Sequence, residues 1–350
     1  MKIGFVINSL ELEEAEYYTT TWLALAAHQK GHTIYYIEVG DLTYYSAGHM
    51  GSLARVVTPR QKFKTPHELL GAIKSEDAKQ VTITSEDLDV LWLRYNPVDE
   101  RDDREWIRQG GLVFAQVASD AGVLVLNDPY TLSHAINKMY FQHFPELVRP
   151  KTIITRRKEE ILKFYEENNQ HVVLKPLMGS GGSDVYMLNK DLANMNQIVT
   201  ALGRMGYIIA QEYLPEAAKG DVRMFLMNGK PLMRDGKYAA VRRVNATSDF
   251  RSNISVGATI KKVKVTNKML ELAEAVRPKI IRDGLFLVGL DIAGDKIIEI
   301  NVISSGALQF CGQLEETDFC ATVIEAIEEK LRMRDYYEGK ISNRELAVME

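Results

Sequence analysis

Asp291, Glu299 and Asn301 are the three side chains whose types and spacing suggest chemistry most directly. They lie in GLDIAGDKIIEINVIS (289–304), where two apolar runs flank the short turn AGDK (293–296). Glu299 and Asn301 are two positions apart, so on a strand they point to the same face, and a hairpin brings Asp291 alongside them. Two carboxylates and an amide oxygen make a hard oxygen site suited to Mg2+, which completes its shell with water and phosphate oxygens. A solvated hairpin with scattered acids is the plain alternative. Leu287, Val288, Leu290, Ile292, Ile298 and Ile300 argue against it, because acids in an otherwise buried strand are costly unless paired or metal-bound.

Three further segments could handle a nucleotide and an acid. In VVLKPLMGSGGSDVYML (172–188), a β-branched run ends in Lys175 and is followed by Gly179, Ser180, Gly181 and Gly182. Glycines let backbone N–H groups converge on a phosphate, and a lysine adds a point charge. An ordinary glycine turn accounts for this segment about as well. It is not GxxxxGK[ST], which excludes a P-loop, and no GxGxxG follows the first strand, which disfavours a dinucleotide fold. In IIAQEYLPEAAKGDVRMFLM (208–227), Gln211, Glu212, Tyr213 and Leu214 follow an apolar strand and could offer backbone groups to an adenine edge, with Asp221 placed for ribose hydroxyls. Alone this signal is weak. In VRRVNATSDFRSNISVGA (241–258), Arg242, Arg243 and Arg251, with Asn253 close behind, could clamp a phosphoryl group or a carboxylate. A solvated basic loop is the simpler reading of that stretch by itself.

The elements that must position these residues fall into two patterns. Residues 2–7, 33–39, 89–95 and 123–127 are predicted strands, alternating with helices over 16–29 and 102–121. Strand–helix alternation implies a parallel α/β sheet covered on both faces. Segment 40–88 is polar and irregular. Past residue 128 the pattern changes: a helix over 131–143, then strand, helix, strand, glycine turn, strand, helix and strand over 151–214. From 222 to 300 most strands neighbour one another through short turns such as MNGK (227–230) and AGDK, neither read as the preferred Asn-Gly two-residue form. That fits an α+β domain, closed by a helix over 317–332. The expected division is 1–127, 128–333 (with parts about 145–214 and 215–333), and an extension over 334–350.

Composition narrows the function classes. A net charge of −4 gives no field favouring nucleic acid or an acidic membrane face, and no apolar run approaches the ~18 residues of a membrane span. The opening MKIGFVIN reads as a strand rather than a signal segment. Two cysteines, Cys311 and Cys320, are too few for a disulfide framework, so a cytoplasmic setting and buried thiols are expected.

The four segments, in this order, resemble the ATP-grasp superfamily. The resemblance to bacterial glutathione synthetases extends over roughly residues 1–330, through KIGFVINSLELEE, GHTIYYIEVGDL, LRYNPVD, LVLNDPYTL, LKPLMGSGG, QEYLPEAAKGDVR and FLVGLDIAGDKIIEINV. It implies an ATP-grasp fold behind an N-terminal α/β domain. It also implies lysine contacts to nucleotide phosphates at Lys138 and Lys175, under a small loop at Gly179–Gly182. Adenine would meet the backbone at Gln211 and Leu214, and ribose Asp221. Mg2+, with Mn2+ as an alternative, would sit on Asp291, Glu299 and Asn301. Arg223, Arg243, Arg251 and Asn253 would surround the acylphosphate, with the 244–257 stretch as cover. Two stretches depart from the family pattern. Ser304-Ser305-Gly306-Ala307-Leu308-Gln309-Phe310-Cys311-Gly312 stands where the family carries a Ser-Pro-Thr-like turn and an Arg-Glu-Ile-Glu run, and Tyr17-Tyr18-Thr19-Thr20-Thr21 stands where it carries short polar residues. The covering stretch NATSDFRSN departs as well, being less glycine-rich than the family's and closer to that of ribosomal-protein S6 glutamate ligases.

The reaction so implied phosphorylates a carboxylate with ATP and lets an amine displace phosphate, with no covalent enzyme nucleophile. The expected substrates are amino acids or dipeptides, γ-glutamylcysteine plus glycine first, and the expected assembly is a homo-oligomer, dimer or tetramer. A related ligase with another donor or acceptor is the second reading, and a silent nucleotide-binding module the third. Leu308 and Phe310 are expected to give the substrate pocket an apolar wall.

Overall fold

The computed structural model describes residues 1–97, 106–179, 182–190, 194–244 and 259–350. The N-terminal sheet has seven strands: β1 (Lys2–Ile7), β2 (Thr33–Glu38), β3 (Leu42–Tyr45), β4 (His49–Val57), β5 (Gln80–Thr84), β6 (Val90–Leu93) and β7 (Leu124–Leu126). Its order is β3-β4-β2-β1-β6-β7, with β5 on β4. Strands β2, β1, β6 and β7 run parallel, joined by helices α1 (Thr19–Gln29) and α3 (Ile107–Asp120). The irregular segment 40–88 proves to be an antiparallel meander of β3, β4 and β5 around α2 (Pro66–Lys74), so the sheet is mixed. Its outer strands are half exposed, which is why their sequence lacks an apolar run.

Helix α4 spans Pro129–His134, started by Pro129 and by the Asp128 carboxylate accepting from Thr131 N–H at 2.9 Å. The single helix expected over 131–143 is therefore two pieces. Asn137 caps a separate 3-10 turn, Lys138–His143, and Lys138 N–H donates to Leu177 C=O at 3.2 Å. A four-stranded antiparallel sheet follows, ordered β10-β9-β11-β8, from β8 (Thr152–Thr155), β9 (Val172–Pro176), β10 (Tyr186–Leu188) and β11 (Ile208–Glu212). Helices α5 (Lys158–Glu167) and α6 (Met195–Met205) pack on it through Ile161, Phe164, Val199 and Leu202.

The last sheet is ordered β17-β16-β12-β18-β19, with β13 on β12. Its strands are β12 (Asp221–Met227), β13 (Lys230–Pro231), β16 (Ala240–Val244), β17 (Thr259–Lys262), β18 (Leu287–Ala293) and β19 (Lys296–Asn301), while β14 (Met233–Arg234) and β15 (Lys237–Tyr238) pair separately. The β12–β13 turn corrects the sequence reading: Met227 pairs with Lys230, so Asn228-Gly229 is itself the two-residue loop, both with positive φ (52° and 73°). Helix α7 (Asn267–Arg282) is a second correction, since it interrupts the run of neighbouring strands. Its cues are the Thr266 cap and the buried Leu272, Val276 and Ile280 spaced four apart. The closing helix expected over 317–332 is α9 (Phe319–Tyr336), started where Asp318 accepts from Ala321 N–H at 2.8 Å, and a further helix, α8 (Leu308–Glu315), precedes it.

Residues past 334 pack against the body. In α10 (Asn343–Leu346), the Asn343 amide exchanges both hydrogen bonds with the Val125 backbone (2.7 and 3.1 Å) and so covers the open edge of β7. Lys330, 1% exposed, donates to Asn228 Oδ1 at 2.8 Å and to Met349 C=O at 2.7 Å. Cys311 and Cys320 are buried, as expected. No helix among the described residues is long and apolar enough to cross a membrane.

Candidate active site

The site is built on one face of the last sheet. Asp221 faces Arg243 across β12 and β16, Arg223 faces Asp291 across β12 and β18, and Asp291 faces Glu299 across β18 and β19. Asn301, two residues beyond Glu299, faces Gly289. Cross-strand partners and i, i+2 neighbours share a face, so one face carries two arginines, three carboxylates and an amide. Gly289 is needed there: a Cβ would meet Arg223 Cδ at 3.0 Å and Ser305 Oγ at 3.2 Å.

These groups form a linked chain of ion pairs. Arg243 donates to both carboxylate oxygens of Asp221, through Nε at 2.8 Å, and its Nη2 also lies 2.8 Å from Asp291. Arg223 grips Asp291 with Nε and Nη2, the latter at 2.9 Å, and turns Nη1 to Gly306 C=O at 3.0 Å. All four are at most 6% exposed. Two guanidiniums balance two carboxylates, which is what makes burial of four charges tolerable. Burial works against the charged form of Asp291, but Arg223 and Arg243 outweigh it and hold the carboxyl down at about 2. For Asp221, burial and the neighbouring Asp291 win, and its carboxyl is raised.

Asn301 donates its amide to Asp291 Oδ2 at 3.3 Å, so its oxygen, the atom a cation would use, is the one not spent on Asp291. Lys138 Nζ pairs with Glu299, which opposes the burial of that carboxylate and leaves it below the usual range. Among the described residues, no three His, Cys, Asp or Glu side chains converge as a complete metal cage. The arrangement fits a hard divalent cation that takes two carboxylates and an amide from the protein and its other ligands from phosphate and water. Each of the two carboxylates already holds a cationic side chain, so the positions call for positive charge.

The opposite wall comes from the middle sheet. Lys175 donates to Gln211 Oε1 at 3.0 Å, and Gln211 Nε2 donates to Thr152 Oγ1 at 3.2 Å. Gln211 therefore contributes its side chain, as a brace for Lys175, which the sequence did not suggest. Glu212 Oε1 accepts from Lys151 N–H at 2.7 Å, and Tyr213 stacks on His171 with centroids 4.0 Å apart. Leu214 caps the 3-10 turn Pro215–Lys219. Between the walls lies a cleft lined by Lys138, Lys175, Gly179, Gln211, Glu299 and Asn301, with Asn96, Pro97, Ile303 and Ser304 at one side. The Asp221 carboxylate is committed to Arg243, so a ribose contact there has to share that guanidinium. Gly182 adopts φ 78°. Ser180, Gly181, Arg251, Asn253 and the covering stretch beyond Val244 lie outside the described residues. Leu308 does not form the expected apolar wall: it is fully buried in the core, with Phe310 packed against the same cluster. Asn96, held by Asn8 through paired bonds of 2.6 and 2.8 Å, is a wall residue that sequence reasoning missed.

Burial, with Lys138 adding to it, pushes the Lys175 ammonium down to about 8. In the ligand-free protein that amine is fully charged only below this value, whereas a bound polyphosphate favours the charged form. With Lys175 at the phosphates, nucleotide binding above pH 8 would take up a proton. ADP affinity is expected to be flat below about pH 7 and to weaken as pH rises through 8, by at most about tenfold per unit. Titration calorimetry of wild type and Lys175→Met across pH 6.5–9.5 checks this. The variant should bind weakly and lose that pH dependence, and an unchanged profile in Lys175→Met would remove Lys175 from the phosphate site.

A cleft between two antiparallel sheets, basic on one wall and acidic with an amide on the other, is the ATP-grasp arrangement, and together with the family and relatives that match it this makes the chain an ATP-dependent ligase that forms C–N bonds. The family model for the N-terminal domain of prokaryotic glutathione synthetase matches residues 1–132, and that for its ATP-grasp domain matches 137–316. The chain belongs to the prokaryotic glutathione synthetase family. The glutathione synthetase of Gloeobacter violaceus is 32% identical over 308 residues, covering 87% of this chain and 89% of its own. That of Buchnera aphidicola subsp. Schizaphis graminum is 30% identical, covering 95% and 98%. Among solved structures, the ATP-grasp ligase PsnB, complexed with a phosphomimetic variant of its minimal precursor, Mg and ADP, superposes with a TM-score of 0.61 at 16% identity, covering 94% of this chain and 98% of its own. D-cycloserine synthetase DcsG gives 0.57 at 12% identity, covering 95% and 100%. These two share the fold.

Proposed function

We propose that the chain joins the cysteinyl carboxylate of γ-glutamylcysteine to the amine of glycine, with ATP converted to ADP and phosphate. The observation that carries this is that the likeness to glutathione synthetases runs through both the nucleotide half and the N-terminal half, which supplies Asn96 to the cleft wall and, behind it, Arg94 to the Ser305 backbone. In the first step a carboxylate oxygen attacks the terminal phosphorus and ADP leaves. In the second the amine attacks the acyl carbon and phosphate leaves. Lys138 and Lys175 bind the phosphates, and Gln211 holds Lys175 in place. Arg223 and Arg243 face the carboxyl group under attack and offset its developing charge. Gly179 to Gly182 lie over the phosphates, Gln211, Glu212, Tyr213 and Leu214 border the adenine, and Asp221 meets the ribose. Arg251 and Asn253 belong to the cover that keeps water from the acylphosphate. Asp291, Glu299 and Asn301 would hold Mg2+, or Mn2+ in its place, which supplies charge neutralisation to the phosphates. The proposed setting is cytoplasmic and the proposed assembly a homo-oligomer. Residues 1–127 would serve the acid, 128–333 the nucleotide and chemistry, and 334–350 the edge of β7.

A second reading, another γ-glutamyl acid or another amine, is favoured by the two stretches that depart from the family pattern, 17–21 and 304–312. The test is ADP release with product mass for γ-glutamylcysteine plus glycine against alternative dipeptides and amines. Glutathione formation, with alternatives at least about tenfold poorer (about 1.4 kcal/mol in the barrier), is the expected result. ADP release only with another pair would establish the second reading.

A further inference from the structure

The segment that leaves the metal strand is held by the N-terminal unit at nearly every second residue. The Asn127 amide donates to Val302 C=O and, on the other side, bonds the Leu287 backbone. Ser304 Oγ donates to Arg94 C=O at 2.8 Å, and Arg94 Nη2 donates to Ser305 C=O at 3.0 Å while its Nε reaches Thr20 Oγ1 at 3.3 Å. Thr19 Oγ1 accepts from Leu308 N–H at 3.3 Å and donates to Gln309 Oε1 at 2.6 Å. Gln309 Nε2 donates to Tyr17 C=O at 3.0 Å and Glu16 C=O at 3.2 Å. Thr19, Thr20, Arg94 and Gln309 are at most 3% exposed. The two stretches that depart from the family pattern are thus one buried contact.

Its position gives that contact a consequence. Strand β1 has β2 on one side and β6 on the other, so the carboxyl ends of β1 and β6 flank the point where the strand order reverses. Open α/β sheets bind their ligands in that crevice. Arg94 follows β6 directly, and Thr19 and Thr20 open the helix that follows β1. The carboxyl to be phosphorylated must lie within bonding reach of the terminal phosphate, next to Asn301. The first groups past Asn301 on the cleft wall are Val302, Ile303, Ser304 and, from the N-terminal unit, Asn96. The acid's body therefore runs along the segment that Arg94 and the Thr19–Gln309 pair hold. Lys138, Lys175 and Gln211, on the nucleotide side, are braced by other partners.

We propose that Thr19, Arg94 and Gln309 are positioning residues that set the 302–306 wall and thereby determine which acid the ligase accepts. The proposal rests on the ligase reading. Buried directional bonds fix the wall's place more tightly than apolar contact would, and a hydroxyl such as that of Thr19 can donate and accept at once. The experiment measures KM for the acid and for ATP, with melting temperature, in Thr19→Val, Gln309→Leu, the double variant and Thr19→Ser. Either of the first two should raise the acid's KM at least fivefold and leave the KM for ATP within twofold. The double variant should cost less than the product of the two singles, because both lose the Thr19–Gln309 bond while Thr19→Val also loses the Leu308 contact and Gln309→Leu the Tyr17 and Glu16 contacts, and Thr19→Ser should stay within twofold of wild type. If the larger changes prevent folding, Gln309→Asn shortens the reach by one methylene and should give the same split. Equal rises in both KM values, multiplicative effects in the double variant, or an unchanged acid KM would overturn the wall while the ligase reading stands. Wild-type protein that releases no ADP with any acid would overturn the ligase reading and the wall with it.

Discussion

Glu299→Gln is expected to lower turnover by roughly 10²–10³-fold, the scale of losing one charge-stabilising group at a reacting centre, while leaving the fold intact. The change is isosteric and removes a negative charge from a half-exposed position, where the Glu299–Lys138 pair adds little to stability. Its cost is expected to fall on phosphoryl transfer: the proposed metal face keeps Asp291 and Asn301 but loses one of its two carboxylates. The amide also releases Lys138, so nucleotide affinity should hold or rise as turnover collapses. Steady-state ADP release and thermal unfolding, run side by side, check the pair of outcomes. Near wild-type turnover would mean that β19 does not carry the metal.

Arg223→Ala is expected to be the most damaging single change to stability in the site, about 3–5 kcal/mol, the range for leaving a buried charge without its partner. Arg223 is the two-point partner of Asp291, and its removal leaves Arg243 to serve two buried carboxylates. Arg223→Lys keeps the charge and loses the fork, so it should fall between. The pH profile carries a sign. Asp291 is held at about 2, below its unfolded value of about 4, so the stability it contributes is present above pH ~4 and is lost as pH falls toward 2. Asp221 shifts the other way and offsets part of it. In the alanine variant the Asp291 carboxyl must rise, and the acid limb of unfolding should move to higher pH. Urea unfolding at pH 3, 5 and 7 measures this, and an unchanged midpoint at all three would contradict the ion-pair chain.

What the sequence disclosed follows from what each element has to bury. Strands β1 and β18 are read from apolar runs because both faces are covered, and Asp291 inside β18 stands out for the same reason. The meander over 42–84 has one wet face and so no such run. Helix α7 was hidden by Pro278 and by the strands on either side, although Thr266 and its apolar spacing mark it. Within the site, residue types pointed to charge but not to pairing. Nothing in sequence spacing tells that Arg243 lands opposite Asp221, since that depends on the register of β16 against β12. The Thr19–Gln309 contact is harder still, because it joins the opening of α1 to that of α8 across the two halves of the molecule.

The central claim is that ATP activates a carboxylate as an acylphosphate before an amine displaces phosphate. Oxygen transfer tests it most directly. γ-Glutamylcysteine labelled with 18O in both oxygens of the cysteinyl carboxylate is incubated with glycine, ATP and Mg2+, and the inorganic phosphate is analysed by mass. Attack by the carboxylate on the terminal phosphorus, followed by loss of phosphate from carbon, carries one labelled oxygen into each phosphate released and leaves the other in the amide carbonyl. Singly labelled phosphate in step with the amide is the predicted result. Amide formed with unlabelled phosphate, or ATP consumed with no label transferred, would contradict the mechanism and the ligase assignment that depends on it.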